Sequence, residues 1–134
     1  MIYRAEERTI RLLLAGDAMP ARSLEPFDDA PYTALIDLIR GADAAFANLE
    51  TTVRELHEGT PSLTQGTPMS TPPALLGDLQ WMGLKRRAGA NNHATEEGDD
   101  GLMVMLAHLR RAGIPHAGAG ANLAEARKPA YLDT

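Results

Sequence analysis

The sequence predicts an α/β fold, with a mainly parallel sheet and flanking helices. Short apolar runs typical of strands alternate with segments whose apolar residues recur at helical spacing. The connections are short, and the helical segments are followed by glycines. Because strand, helix and strand joined in this way form right-handed βαβ units, the alternation favours parallel strands covered by helices.

The amino-acid composition of the chain excludes several classes of protein. The 134 residues, 44% of them apolar, are enough for one packed domain. The absence of cysteine excludes disulfides and thiolate metal sites, so a metal would need oxygen and imidazole ligands. The net charge of -5 argues against nucleic-acid binding, and the basic cluster Lys85-Arg86-Arg87 is too short to reverse this. With no signal-peptide stretch at the start and no run of membrane-spanning length, we expect a cytoplasmic protein without a membrane segment.

The first strand and helix are predicted from an apolar run and a helical repeat. Residues 9–15 end in an apolar run followed at once by Gly16 and Asp17, which indicates a buried strand with Asp17 at its tip. A helix is predicted from Pro31, with Gly41 as its C-terminal cap. Its predicted apolar face consists of Tyr32, Leu35, Ile36 and Ile39.

A second strand, a long loop and a second helix come next along the chain. The strand is predicted over residues 44–47, directly before Asn48-Leu49-Glu50. Residues 51–71 show little periodicity, which is typical of a functional or disordered loop. Thr71 is the predicted N-cap of the next helix, which ends at Gly83. The apolar face of that helix is Leu75, Leu76, Leu79 and Met82.

The third helix and the last strand repeat this plan. Asp99 or Asp100 is the predicted N-cap, and Gly113 follows the end of the helix. Residues 114–117 are predicted to form the next strand. The apolar face of the helix is Leu102, Met105, Leu106 and Leu109.

Three groups of polar residues fall at the predicted carboxyl edge of the sheet, where open α/β sheets bind their ligands. They are Asp17, Glu50 and the Asn91-Asn92-His93 loop. Carboxylate and amide oxygens suit Mn or Mg, and an imidazole can ligate a metal or move protons. Each group alone is also typical of an ordinary turn or of a loop that caps backbone groups. Together they favour a cation held beside a phosphate.

These motifs resemble the series found in the CapA family of poly-gamma-glutamate capsule-synthesis proteins. The resemblance runs from about residue 9 to the last residue. The motifs are Gly16-Asp17-Ala18-Met19 with Arg22, Ala47-Asn48-Leu49-Glu50, Ala90-Asn91-Asn92-His93, and residues 112–120 with Asn122, Glu125, Ala126 and Pro129.

The resemblance implies a fold similar to calcineurin-like metallophosphoesterases, of which this chain would form half of an αββα sandwich. It implies a dinuclear centre of divalent Mn, Zn, Mg or Fe, with Asp17 and Glu50 as metal carboxylates and Asn92 as a ligating amide. His93 would be the proton donor or phosphate-stabilising catalytic residue. Arg22 would pair with the substrate, an anionic or phosphate-containing small molecule or polymer.

The remaining histidines supply few further ligands. His57 in the long loop and His108 on the flank of the third helix are typical of solvated surface residues. His116, at the carboxyl end of a predicted strand, is a spare metal-ligand candidate, although a half-buried structural residue is an equal interpretation.

The chain also departs from the family pattern. Nothing corresponds to the family's second half, so we expect residues 1–134 to be the truncated N-terminal portion of the domain, with an incomplete site. The family's apolar strand before the Asn-Asn-His loop is replaced by Lys85-Arg86-Arg87, so that strand is expected to be frayed, at an edge or lost. Glu96 stands where the family has an aspartate, which leaves the positioning of His93 open.

Two functions remain as hypotheses. The first is a CapA-like, metal-dependent phosphoesterase or hydrolase domain, linked by resemblance to capsule biosynthesis and weak or inactive in this form. The alternative is a non-catalytic binding or assembly module, in which an uncovered apolar sheet face is closed by a partner chain or by self-association into a homo-oligomer.

Overall fold

The computed structural model describes residues 9–25, 27–59, 69–84 and 86–131. The predicted α/β class, with short parallel strands and helices, is confirmed. In chain order the elements are β1 (Leu12–Ala18), α1 (Ala30–Arg40), β2 (Ala44–Leu49), β3 (Thr52–Val53), β4 (Ser70–Thr71), a 3₁₀ turn (Pro73–Leu75), α2 (Leu76–Trp81), β5 (Arg86–Ala88), α3 (Gly98–Arg111), β6 (His116–Ala117) and α4 (Leu123–Ala126).

The main sheet contains β1, β2, β5 and β6 in that order, and every described pairing is parallel. Each crossover moves in the same direction across the sheet. Because crossovers between parallel strands are almost always right-handed, the connecting helices are expected to pack on one face. Alternate residues of β2 are accordingly buried. The core that they share with the helices consists of Ile39, Ala45, Ala47, Leu49, Val53, Leu76, Leu79, Leu84, Met105, Leu109 and Ile114.

On β1 and β2, the opposite face of the sheet is largely uncovered by the residues that the structure describes. Leu12 and Leu14 are 60% and 69% exposed, and Phe46 is 37% exposed. Leu12 is in register with Ala44, and Leu14 with Phe46, so these four side chains share what we call the outer face. The prediction that the first strand is buried is therefore wrong, because helices cover only the other face, on which Leu13 packs against the core.

Both N-terminal strands end later in the chain than predicted, and β1 also begins later, at Leu12 instead of residue 9. β1 continues through Asp17 to Ala18, and β2 continues to Leu49. Asp17 thus lies within a strand, near its carboxyl end, rather than after it. The hydrophobic pattern ends earlier because polar residues at the edge of a sheet can still be paired through their backbone.

α1 matches its predicted limits closely. The carboxylate of Asp29 accepts a hydrogen bond from the backbone N–H of Tyr32 and so caps the N-terminus. Gly41 is the C-cap, as predicted. Ile36 and Ile39 are buried, whereas Leu35, assigned to the same face, remains 47% exposed.

Both predicted N-caps of the later helices are wrong. Thr71 belongs to β4, and its buried hydroxyl contacts the hydroxyl of Thr51 and donates to the carbonyl of Pro20, so it is not available to cap a helix. Asp99 and Asp100 lie inside the first turn of α3, where their charges favour the positive end of the helix dipole.

The basic segment forms a strand in the interior of the sheet. β5 pairs with β2 on one side and with β6 on the other. The expectation that this strand lies at an edge or is lost is therefore wrong, since its backbone is bonded to both neighbours. Lys85 and residues 60–68 of the long loop lie outside the described residues.

The long loop contains a small second sheet, in which β3 and β4 are parallel. Thr52 and Val53 are fully buried, and β3 contacts α3. This sheet places the start of the loop against the helical layer. No helix in the described part of the chain is long and apolar enough to cross a membrane.

Candidate metal centre

A bulge in β1 determines which way Asp17 faces. Leu14 is in register with Phe46, but Asp17 is in register with Asn48, so β1 has one extra residue between these pairs. In a regular ladder Asp17 would pair with Leu49, whose side chain is buried against the helices. The bulge places Asp17 beside Asn48 instead, and the Asn48 amide donates a hydrogen bond to Asp17 Oδ1 at 2.9 Å.

Asn48 joins the two predicted metal carboxylates. Its NH₂ group also donates a hydrogen bond to Oε2 of Glu50, the residue that follows β2. Asn91 supports Asn48 from the loop after β5, because its NH₂ donates to Asn48 Oδ1 at 3.3 Å and to the carbonyl of Leu49 at 2.6 Å. Residues from three neighbouring strands are thus connected at one edge of the sheet.

His93 lies between two carboxylates. Its Nε2 is 3.6 Å from Glu50 Oε1, and its Nδ1 is 2.7 Å from Glu96 Oε1. The contact to Glu96 does not have the angle of a hydrogen bond, and the buried Nδ1 has no hydrogen-bond partner among the described residues. The backbone N–H of His93 donates to Asn91 Oδ1 at 3.0 Å, and Thr52 donates to the His93 carbonyl at 3.2 Å. The backbone is therefore held at both ends of the residue.

The donor set suits a divalent cation, but it is not preformed as a cage. Carboxylates, amide oxygens and an imidazole match the preferences of Mn and related ions. Within the described ranges, however, no group of three or more His, Asp or Glu is arranged to hold a metal ion. The NH₂ of Asn48 lies between Asp17 and Glu50 and supplies the positive hydrogens that a cation would replace. Turning this amide by 180° would direct its oxygen toward the carboxylates instead.

Three predicted site residues lie apart from these contacts. Asn92 is exposed. The guanidinium of Arg22 lies 5.2 Å from the centre of the Phe27 ring. His116 directs Nδ1 to the carbonyl of Ile114 at 3.1 Å, and β6 is two strands from β2, or about 10 Å across the sheet.

The other two histidines differ from each other. His57 is exposed, as predicted. The prediction that His108 is a solvated surface residue is wrong, because it is 8% exposed and its Nε2 lies 2.6 Å from Glu58 Oε2. The hydrogen bond compensates for burying a polar ring on the flank of α3.

Sequence reasoning assigned no role to Asn48 or Asn91 and left Glu96 undecided. A signal was present for two of them. Asn48 and Glu50 are two residues apart, which is the spacing of neighbours on one face of a strand. Glu96 follows His93 by three residues, a spacing at which side chains meet on one helical turn. Asn91 gave no such signal, because its partners lie on other strands.

Comparison with known proteins identifies the family. The family model described as bacterial capsule synthesis protein PGA_cap matches residues 11–134. The chain belongs to this family. The predicted resemblance to capsule-synthesis proteins is thereby confirmed, and the motifs on which it was based lie within the residues of this PGA_cap chain that match.

Two curated relatives come from Sinorhizobium fredii (strain NBRC 101917 / NGR234). They are the uncharacterized proteins y4sH and y4uA, and each is 30% identical to this chain over 126 residues. The match covers 92% of the PGA_cap chain and 27% of each relative. The chain thus spans about a quarter of the length of these curated relatives.

Proposed function

We propose that this PGA_cap chain provides a divalent-metal site for a phosphoesterase-type hydrolase that acts on an anionic, phosphate-containing compound. The proposal is carried by the contact of Asp17 and Glu50 with one amide, that of Asn48, at the carboxyl edge of the sheet. Two carboxylates this close repel each other unless a positive group lies between them. The edge of the sheet is also where α/β folds bind ligands.

Asp17 and Glu50 would hold the cation, with the oxygen of Asn48 as a further ligand after its amide turns. This assigns to Asn48 the amide role that the family resemblance suggests for Asn92, since Asn92 is exposed. When bound, a divalent cation would polarise a phosphoryl oxygen and lower the pKa of a bound water. The proposal also includes the second metal that the family resemblance implies, with His116 as a candidate ligand.

His93 would move the proton. Glu96 Oε1 lies 2.7 Å from Nδ1, so a rotation of this carboxylate would let it accept the Nδ1 hydrogen. The Nε2 atom would then be available to accept a proton from water, and the imidazolium would donate it to the leaving oxygen. Glu96 would act as a positioning residue that fixes the tautomer and orientation of the ring. We expect Glu96→Gln to lower kcat by about tenfold to a hundredfold while KM changes little, with Glu55→Gln, an exposed glutamate of the long loop, as the matched control.

Calorimetric titration of Mn and Zn into the purified chain tests the metal site. We expect one to two equivalents to bind, with loss of binding in Asp17→Asn. Asp28→Asn is the matched control, because Asp28 is exposed in the loop before α1. Hydrolysis of bis(para-nitrophenyl) phosphate with added Mn tests the chemistry. Equal binding by both variants, or no binding by the parent chain, would overturn the proposal.

The outer face favours a second candidate, an assembly module. Leu12, Leu14 and Phe46 form an exposed apolar surface on one side of the sheet, and such surfaces mark sites of association. Light scattering after size exclusion should show an oligomer at micromolar concentration that Leu14→Asp dissociates. Leu56→Asp is the control, because Leu56 is 91% exposed in the long loop, away from the sheet. A monomeric parent chain would contradict this candidate.

A further inference from the structure

A cavity of about 310 Å³ lies beside Asp17, on the helical side of the sheet. The end of β1 forms one wall, and α1, α2 and the segment after β1 form the others. Asp17 is the one ionisable group among its described lining residues. The large apolar side chains of the lining include Met19, Leu24, Leu35 and Met82.

The cavity is open to solvent on one side. Its volume falls at the lower end of the range of small-molecule pockets, about 300–1,000 Å³. At the roughly 30 Å³ that a water molecule occupies in the liquid, the cavity has room for about ten non-hydrogen atoms. Met19 and Leu35 remain 50% and 47% exposed at its lining, so solvent reaches two large apolar side chains there.

The lining indicates what kind of group would enter. Apart from Asp17, its side chains are aliphatic or thioether groups, and the described lining contains no aromatic ring or cation. The carboxylate of Asp17 is turned toward Asn48, so a charged group in the cavity would lose its hydration without gaining a charged partner there. An unbranched hydrocarbon would remove Met19 and Leu35 from water and would adapt to the flexible methionines.

We propose that the cavity beside Asp17 binds an aliphatic chain of about ten non-hydrogen atoms. The binding of the aliphatic chain requires neither metal nor catalysis.

The test uses 1-alkanols of four to ten carbons with metal-free protein, and methionine methyl NMR as the readout. We expect the signals of Met19 and Met82 to shift on saturation, while those of Met103 and Met105 on α3 stay in place. Affinity should rise about fourfold for each added methylene and level off when the chain fills the cavity. Unchanged Met19 and Met82 signals, or affinity that does not depend on chain length, would overturn the inference.

Two variants of α1 provide the matched comparison. Leu35→Asp places a carboxylate on the cavity wall, and Leu38→Asp places one on the same helix at a residue that is 66% exposed and does not line the cavity. We expect at least a tenfold loss of octanol affinity in Leu35→Asp and less than a twofold change in Leu38→Asp. Equal affinities would overturn the inference, and if Leu35→Asp does not fold, the chain-length series in the parent protein decides.

Discussion

Arg54→Met is expected to destabilise the chain more than any exposed arginine would. Arg54 donates a hydrogen bond to Glu97 Oε1 at 3.2 Å, and the side chains are only 13% and 2% exposed. Its other terminal nitrogen donates to the carbonyls of Glu55, Leu56 and Glu58, which holds this loop against α3. Loss of Arg54 would leave the charge of Glu97 buried without a partner.

The size of the expected loss of stability follows from the burial of Arg54 and Glu97. Removing one partner of a buried ion pair costs about 3–5 kcal/mol, whereas an exposed pair contributes at most about 1 kcal/mol. Arg110→Met is the matched control, because Arg110 lies 3.6 Å from Glu125 and the two side chains are 54% and 39% exposed. The free energy of unfolding is obtained from urea titrations followed by circular dichroism, with m-values compared between variants.

The double variant Arg54→Met with Glu97→Leu tests the reasoning itself. Replacing both partners by apolar residues removes the unpaired charge, so we expect most of the lost stability to return. The explanation is refuted if Arg54→Met costs no more than Arg110→Met. It is equally refuted if the double variant is as unstable as Arg54→Met, because the loss would then come from the loop contacts alone.

Two further predictions concern acid stability and backbone conformation. The pKa of Glu58 is lowered from its ordinary value of 4.5, first by the hydrogen bond from the Glu55 backbone and then by the hydrogen bond with His108. The contribution of Glu58 to stability is therefore present above pH 4.5 and is lost as pH falls through the lowered pKa. Urea titrations from pH 7 to pH 3 should show Glu58→Gln less stable than the parent near neutrality and equal to it in acid, and a constant difference at all pH values would contradict this. Gly118 has φ of +92° and an added Cβ would lie 2.7 Å from the nearest side chain, so Gly118→Ala should lower the free energy of unfolding by about 1–3 kcal/mol. Gly77→Ala, which meets nothing within 4 Å in α2, should be neutral or raise it by up to about 1 kcal/mol, and similar losses in both variants would be the contrary result.

The helix positions could be predicted from the sequence because their signals are local. The periodic apolar faces of α1 and α3 and the glycine that follows each helix depend only on neighbouring residues. The burial of β1 could not be predicted in this way, because its exposure depends on which face of the sheet the helices cover. The same holds for β5, whose interior place comes from pairing with β2 and β6 and not from its own apolarity.

For the candidate site, only its location at the carboxyl ends of the strands could be predicted from the sequence. The order of the strands in a parallel α/β sheet places Asp17, Glu50 and the Asn91 loop at one edge, and the structure brings these together. Which amide of the loop contacts Asn48 was not predictable, because Asn91 and Asn92 are adjacent and only the loop conformation separates a half-buried side chain from an exposed one. His108 shows the same limit, since its partner is fifty residues away along the chain.

The bulge in β1 shows how one residue decides whether a site can form. Strict alternation would give Asp17 the orientation of Leu13, with its carboxylate among the apolar side chains under the helices. An unpaired carboxylate there would be costly, and the extra residue before Asp17 avoids that cost by moving it to the side of Asn48. The same displacement interrupts the pairing of β1 next to the cavity that residues 15–18 line. A single insertion in the ladder therefore accounts both for the acidic cluster on one side of β1 and for the wall of the apolar cavity on the other.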